Sequence, residues 1–511
     1  MQATESGSPS GAHGSLTKHT FWLMLAKTIA FVFSLALPLL VVRSLSQLEF
    51  GQYKQAFLVI ATAMNVLPLG FNMTVYYYLP RERERQPQVV FHLLLIGLCA
   101  GLVATAVCLI YPQALVALFR EPALATYAPW IGAIVPLWIV GGLLEVIPVA
   151  NHEVRVATAF IVLTQFTRTT ILFLAAFWFA SVLALLVGAL LQGLVQTGIL
   201  LVYLHKRFPG FWRGIDRSLL KAQLRYGLPL GMAGLLYTFQ TDLHNYFVSH
   251  RFGTEAFALY SIGCFQLPFI GLIGEAASAV MIARVSTLAQ TGSVFEILAL
   301  TARSMRKLSA VYFPAYAILM ITGPEFIELL FTRRYAASWP IFAVNLTLLP
   351  ASVLFTDPII RAYPRHMPVL LRMRVLLLAF LFAGLWFGTR HYGLLGAVGV
   401  AVGLGLLERA FTTWYFVGRV LEFRRRDLRL FGDSAKVALA AAIAALATLP
   451  LHKYLAGAAP LRVLLVCGAL YALVYVALLL GLRIPTPGER ALVRGWIRRP
   501  RWSRGTASPL S

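Results

Sequence analysis

The stretch Val89-Val-Phe-His-Leu-Leu-Leu-Ile-Gly-Leu-Cys99-Ala-Gly-Leu-Val-Ala-Thr-Ala-Val-Cys108-Leu-Ile110 contains one imidazole and no formal charge, and three residues separate it from the charged run Arg81-Glu-Arg-Glu-Arg85. Coiled as an α-helix, about 20 such residues reach about 30 Å, the thickness of a bilayer's hydrocarbon core. Apolar blocks of this size recur along the whole chain, separated by short charged stretches. The 511 residues are 59% hydrophobic and only 13% charged, whereas roughly a quarter of a soluble domain is charged. The chain therefore reads as an all-α polytopic membrane protein, which excludes secreted, cytosolic and nuclear functions. Cys99, Cys108, Cys264 and Cys467 all fall inside apolar blocks without metal-ligand spacing, so neither a disulfide framework nor a metal site is expected, and no motif calls for a cofactor.

Hydropathy predicts about fourteen transmembrane helices. The first six are Phe21–Val42, Ala56–Tyr77, Val89–Ile110, Ala125–Val149, Thr158–Ala180 and Val182–Leu204. The next six are Tyr226–Val248, Ala258–Ile282, Leu308–Phe326, Ala337–Phe355, Val369–Phe387 and Gly396–Val417, and Val437–Leu455 with Val463–Leu482 closes the set. With the N-terminus in the cytoplasm, inner connections and helix ends hold roughly 32 of the 44 Lys and Arg and outer ones about 9. Both termini are thus expected in the cytoplasm. Most of the net charge of +24 then reflects membrane topology rather than nucleic-acid binding.

The expected organisation is a disordered cytoplasmic N-terminus (1–17), a six-helix lobe (18–205), a cytoplasmic amphipathic linker (206–225) and a second six-helix lobe (226–420). An extra helix pair (421–483) and a basic cytoplasmic tail (484–511) follow. In the linker, the apolar and basic residues of Ile215-Asp-Arg-Ser-Leu-Leu-Lys-Ala-Gln-Leu-Arg225 segregate at helical spacing, which predicts an interfacial helix. Trp496 and Trp502 among the tail arginines point to contact with the anionic membrane lipids of the inner leaflet. The lobes also share a signature. Arg43-Ser-Leu-Ser-Gln-Leu-Glu-Phe50-Gly-Gln-Tyr53 follows the first span, and His250-Arg-Phe-Gly-Thr-Glu-Ala-Phe257-Ala-Leu-Tyr260 follows the seventh, with the same Phe-to-Tyr offset. Two six-helix units in one orientation form a parallel repeat, an arrangement that rocks about a central site.

That opening segment, followed by Leu67-Pro-Leu-Gly-Phe71 and Tyr76-Tyr-Tyr-Leu-Pro80, resembles bacterial polysaccharide flippases of the O-antigen (Wzx-type) branch. Arg225-Tyr-Gly-Leu-Pro229 leading to Asp242, Ala258-Leu-Tyr-Ser261, and Gly393-Leu-Leu-Gly-Ala-Val-Gly399 are similar again. The likeness runs in order over about residues 20–420. This branch belongs to the superfamily that also holds multidrug exporters and the lipid II flippase. The resemblance implies two lobes around a cavity that opens alternately to each side, in the bacterial inner membrane. It also implies a polyprenyl-diphosphate-linked oligosaccharide as substrate, carried to the outer leaflet, and a working partnership with the polysaccharide synthesis machinery.

A charge at the centre of a membrane helix costs about 2.5–3.5 kcal/mol on insertion scales, so it should face a cavity rather than lipid. Arg168 lies about ten residues from either end of the fifth span, with Thr164 and Gln165 a turn earlier. Arg409 lies deep in the twelfth span beside Glu408, Lys27 two turns into the first, and Arg372 and Arg374 at the inner end of the eleventh. Guanidinium forks match phosphate oxygens, and these five cations are the expected diphosphate and glycan ligands. Asp242, Glu275 and Glu145 are the carboxylates placed to bind a coupling proton or cation. A multidrug exporter would favour carboxylates over these arginines. A membrane polymerase or ligase would need catalytic residues in sizeable outer loops, and the loops here are short. The protein is expected to be a transporter rather than an enzyme.

Overall fold

The computed structural model describes residues 37–484 apart from Arg213. All regular structure among them is helical. The principal helices are α1 (Gln47–Val66), α2 (Gln86–Ile110), α3 (Ala123–Gly141), α4 (Val154–Phe179), α5 (Val182–Arg207), α6 (Arg217–Phe252) and α7 (Thr254–Gly263). They continue as α8 (Pro268–Gln290), α9 (Val294–Phe331), α10 (Trp339–Leu346), α11 (Met367–Thr412), α12 (Gly432–Tyr454) and α13 (Pro460–Gly481).

Among the described residues nine helices are long and apolar enough to cross a membrane. There are ten if α1 and Phe71–Tyr78, bent by 52°, count as one broken span. The shortfall from fourteen has identifiable causes. The first expected span lies mostly outside the described residues, of which only 37–44 form a helix there. The seventh, within α6, carries the polar run Gln240-Thr-Asp-Leu-His-Asn245. The tenth is interrupted after Leu346 and again after Ala351. The eleventh and twelfth form one element, α11, folded back at Gly393 (φ 58°, ψ −136°). Only glycine adopts such a backbone readily. Beside that turn, a Cβ on Gly396 would lie 2.0 Å from the Gly388 carbonyl oxygen, so the two arms of the hairpin touch backbone to backbone.

Two more boundaries differ from expectation. The amphipathic linker is not a separate interfacial helix: its helical part runs straight into the seventh span as α6. Asp216 caps α6 by accepting from the backbone N–H groups of Ser218 and Leu219, and Pro229 is accommodated inside it. At 36 residues this helix is about 54 Å long, about 24 Å more than the hydrocarbon core is thick. The eighth span is split, with Cys264–Leu267 non-helical between α7 and α8.

In the N-terminal half α3 is the central helix and contacts α1, α2 and α5. In the C-terminal half α6 contacts α11, while α12 and α13 pair with each other against α9. Tyr475 donates to the Ala310 carbonyl at 2.9 Å and His452 meets Glu325 at 3.0 Å, fixing that last pair to the body. The two similar segments found in the sequence each open a helix, α1 and α7, with their aromatics Phe50, Tyr53, Phe257 and Tyr260 buried. These two helices pack on each other across the boundary between the halves.

Candidate functional site

Three features could act on a substrate: a polar seam between the halves and one basic cluster in each half. The seam runs along α1 and its bent continuation, facing α6 and α7. At the Ser249 end, Gln55 donates to Ser249 at 2.7 Å and to Thr254 at 3.2 Å. Glu121 accepts from Gln52 at 3.1 Å and from the Thr254 hydroxyl. Arg43 donates to the Leu329 carbonyl and Arg334 to the Leu45 carbonyl, at 2.8 and 2.9 Å. Nearer the middle, Tyr246 donates to Thr62 at 2.8 Å, and Thr62 lies 3.4 Å from Asp242.

At the Asp216 end the halves meet through backbone and rings. Gly231 approaches Leu69 and Gly70 so closely that a Cβ on it would sit 1.9 Å from the Leu69 oxygen. Gly70 itself holds a left-handed φ of 69°. Tyr77 stacks on Tyr226 with centroids 4.7 Å apart, and Arg81 covers Tyr77 at 3.6 Å. Beyond them Arg85 pairs with Asp216 at 3.1 Å and His92 meets Gln223 at 2.8 Å. The Ser218 hydroxyl, the Leu219 N–H and Arg85 together hold the Asp216 carboxyl well below the usual carboxylate range. In this structure the seam is closed at both ends.

The N-half cluster is built on Arg168 in α4. Its guanidinium lies 4.1 Å from the centroid of the Trp138 ring of α3, a cation–π contact that partly replaces hydration. Trp138 is held by its indole N–H donating to the Ala189 carbonyl at 3.0 Å. Tyr53 and Glu145 are within electrostatic reach of Arg168, and Thr164, a turn away, carries a buried hydroxyl without a hydrogen-bond partner.

The C-half cluster joins α6 and both arms of α11. Arg374 lies 3.5 Å from Glu408 and 5.2 Å from the centroid of the Tyr237 ring. Gln240 donates to the other oxygen of Glu408 at 2.6 Å. Arg409 is half-buried and electrostatically coupled to Glu408, Tyr237 and Tyr312. Arg374 and Glu408 keep 24% and 22% of their side-chain surface exposed, enough for an anion to reach them.

The sequence-derived candidates thus separate. Arg168 and Glu145 share one cluster, and Arg374 and Arg409 share the other. Arg372 points away on an exposed face and Glu275 is also exposed. Asp242 belongs to the seam. Lys27 lies outside the described residues. Two participants escaped the sequence reading. Lys54 is half-buried 5.5 Å from the centroid of the Phe50 ring, inside α1, which starts nine residues earlier than hydropathy placed the span. Glu408 appeared only as a neighbour of Arg409, because its contact to Arg374 depends on the hairpin at Gly393.

Residues 16–267 match the family model described as polysaccharide biosynthesis protein. Over 93% of this chain and 99% of its own, the lipid II flippase MurJ in an inward closed conformation has the same fold, with a TM-score of 0.68 at 14% identity. The chain thus shares its fold with transporters of the multidrug/oligosaccharidyl-lipid/polysaccharide (MOP) exporter superfamily. Other MOP structures agree in fold. The Vibrio cholerae MATE transporter VcmN matches with a TM-score of 0.55 at 15% identity, covering 82% of this chain and 99% of its own. A MOP transporter from Pyrococcus furiosus, described as having a binding pocket of reverse polarity, matches with a TM-score of 0.55 at 16% identity, covering 80% and 96%. Among curated proteins no sequence matches.

Proposed function

We propose that this protein is a MOP-superfamily exporter that flips a polyprenyl-diphosphate-linked oligosaccharide from the cytoplasmic to the outer leaflet of a bacterial inner membrane, for surface or exopolysaccharide synthesis. The observation that carries this reading is a membrane-embedded arginine site in each half, Arg168 on Trp138 and Arg374 with Arg409 around Glu408. Taking a diphosphate into hydrocarbon unaided costs tens of kcal/mol in the Born limit. Arginine offsets that cost with a planar fork of donors fitted to phosphate oxygens. A drug exporter that carries cations would need the opposite polarity. The lipid II flippase fold is compatible with any polyprenyl diphosphate, and the polysaccharide family match favours an oligosaccharide headgroup.

In this scheme the Asp216 end faces the cytoplasm, as do both termini, and the Ser249 end faces outward. With the Asp216 end open, Arg168, Arg374, Arg409 and Lys27 take the diphosphate while the prenyl tail stays in the bilayer. Lys54 adds a further cation, and Arg372 meets headgroups at the membrane surface. The seam then closes at Gly231 and Arg85–Asp216 and opens at Gln55 and Glu121, and the glycan passes to the synthesis machinery outside. Binding of a proton or cation at Asp242, beside Thr62, resets the halves. Glu275 and Glu145 are the remaining coupling candidates, and Glu145 also balances the charge of Arg168.

The test is a deletion strain complemented with wild type or Arg168→Ala. Complete lipid-linked units confined to the cytoplasmic leaflet, cleared by wild type and not by the variant, are the expected result. Unpolymerised units reaching the outer leaflet without the protein would refute flipping and turn attention to a polymerase or ligase.

A further inference from the structure

The two basic clusters are not equivalent. Arg168 rests on the Trp138 ring, with Glu145 acting on it electrostatically. In the C-half, Glu408 faces Arg374, acts electrostatically on its chain neighbour Arg409 and is held by Gln240. The geometry points to Glu408 as a built-in counter-ion that competes with the substrate's phosphate for Arg374 and Arg409. This inference rests on the flippase reading above and adds a release step to it.

Three details separate a competitor from a structural ion pair. An arginine–carboxylate pair that serves as a strut is commonly bidentate at about 2.7–2.9 Å. Here the separation is 3.5 Å and the Arg374 Nε, though buried, has no hydrogen-bond acceptor. The cluster also holds unmet polar atoms: Gln240 Oε1 lacks a donor, and one turn beyond Arg409 the buried Thr413 hydroxyl lacks a partner. A ligand bearing both phosphate oxygens and sugar hydroxyls would supply the missing groups, since unpaired buried polar atoms favour whatever satisfies them. Finally, the cluster holds two guanidiniums and one carboxylate, so it keeps one net positive charge and still attracts an anion at reduced strength.

The consequence is an ordered cycle. Phosphate engages Arg168 on its aromatic support first and reaches the C-half arginines by displacing Glu408. When the halves rearrange, Glu408 recovers its arginines and the phosphate leaves. Without that carboxylate the lipid would bind more tightly and depart more slowly. Glu408 is thus a positioning residue acting through Arg374 and Arg409.

The experiment uses the full chain in lipid nanodiscs, with C55 polyprenyl diphosphate as the probe and Glu408→Gln, Arg374→Ala and the double variant for comparison. Affinity is read by native mass spectrometry and flipping in proteoliposomes, with thermal stability as the folding check. Glu408→Gln should bind the diphosphate about tenfold more tightly, with KM and kcat for flipping both lowered. The gain should vanish in the double variant. Unchanged or weaker binding by a stably folded Glu408→Gln would overturn the competition while leaving the flippase reading intact. Absence of binding by wild type would remove both.

Discussion

Replacing Gly231 by alanine tests whether the seam at the Asp216 end is a moving gate or a fixed part of the core. The new Cβ would lie 1.9 Å from the Leu69 carbonyl oxygen, 2.1 Å from its carbon and 2.8 Å from the Gly70 nitrogen. All three atoms are backbone, so no side chain can swing aside. Because ordinary contact begins at about 3.4 Å, α6 and the Leu69–Gly70 turn must part by about 1.5 Å. Overpacking of this kind costs about 1–3 kcal/mol when the structure cannot yield. In a gate, the strain falls on the closed state alone and shifts the closed-to-open ratio about 5- to 150-fold. Spin labels at Glu84→Cys and Lys221→Cys, exposed positions flanking the seam, report the separation in a background freed of the native cysteines. The expected result is a second, longer distance population in Gly231→Ala with little loss of thermal stability. Gly234→Ala, whose Cβ meets nothing within 4 Å, should behave as wild type. An unchanged distance together with a fall in Tm of several degrees would refute the gate and make this contact ordinary packing.

Further expectations follow from the same geometry. Arg168→Ala should lower flipping about 10- to 150-fold, the loss of one or two charge-assisted phosphate contacts worth about 1.5–3 kcal/mol. Arg168→Lys, keeping charge without the fork, should fall between, as measured in proteoliposomes. The Asp216 carboxyl is depressed by Ser218, Leu219 and Arg85, so its latch is present above the unfolded-state pKa and lost only as pH falls through the depressed folded value. The Glu84–Lys221 label distance should therefore stay constant between about pH 5 and pH 8, and Asp216→Asn should lengthen it throughout. Glu121→Ala leaves Gln52 and the Thr254 hydroxyl without their shared acceptor. It should increase labelling of a cysteine at Glu255 from the outside, with no change at the Asp216 end.

Apolar runs such as Val89–Ile110 and Val182–Leu204 made the third to sixth spans and the last helix pair legible, because their length and apolarity outweigh the prolines that the fourth span and Gly432–Tyr454 contain. The interruptions were harder. Gly393 marks its turn through a positive φ that only glycine adopts readily, and Pro268 marks the end of the Cys264–Leu267 break by holding Leu267 extended, whereas the break after Leu346 carries no such local signal. The linker read as a separate element because Gly227 and Pro229 mimic a stop, yet the cap at Asp216 and the contacts of Gly227 and Gly231 along the seam keep α6 continuous. For the site, in-span charges were visible as expensive residues. Their partners were not, since Arg374 meets Glu408, and Arg168 meets Trp138, only through tertiary folding. Lys54 was hidden by a span boundary drawn at Ala56, past the Ser46 cap where α1 begins.

The central claim is that this protein moves a lipid-linked oligosaccharide between leaflets. Purified protein should be reconstituted into liposomes carrying a fluorescent polyprenyl-diphosphate oligosaccharide, and the fraction reached by an added membrane-impermeant quencher followed over time. The account predicts that wild type brings the inner-leaflet pool within reach of the quencher, while Arg168→Ala and empty liposomes leave it protected. Equal protection with wild-type protein and with empty liposomes would contradict it.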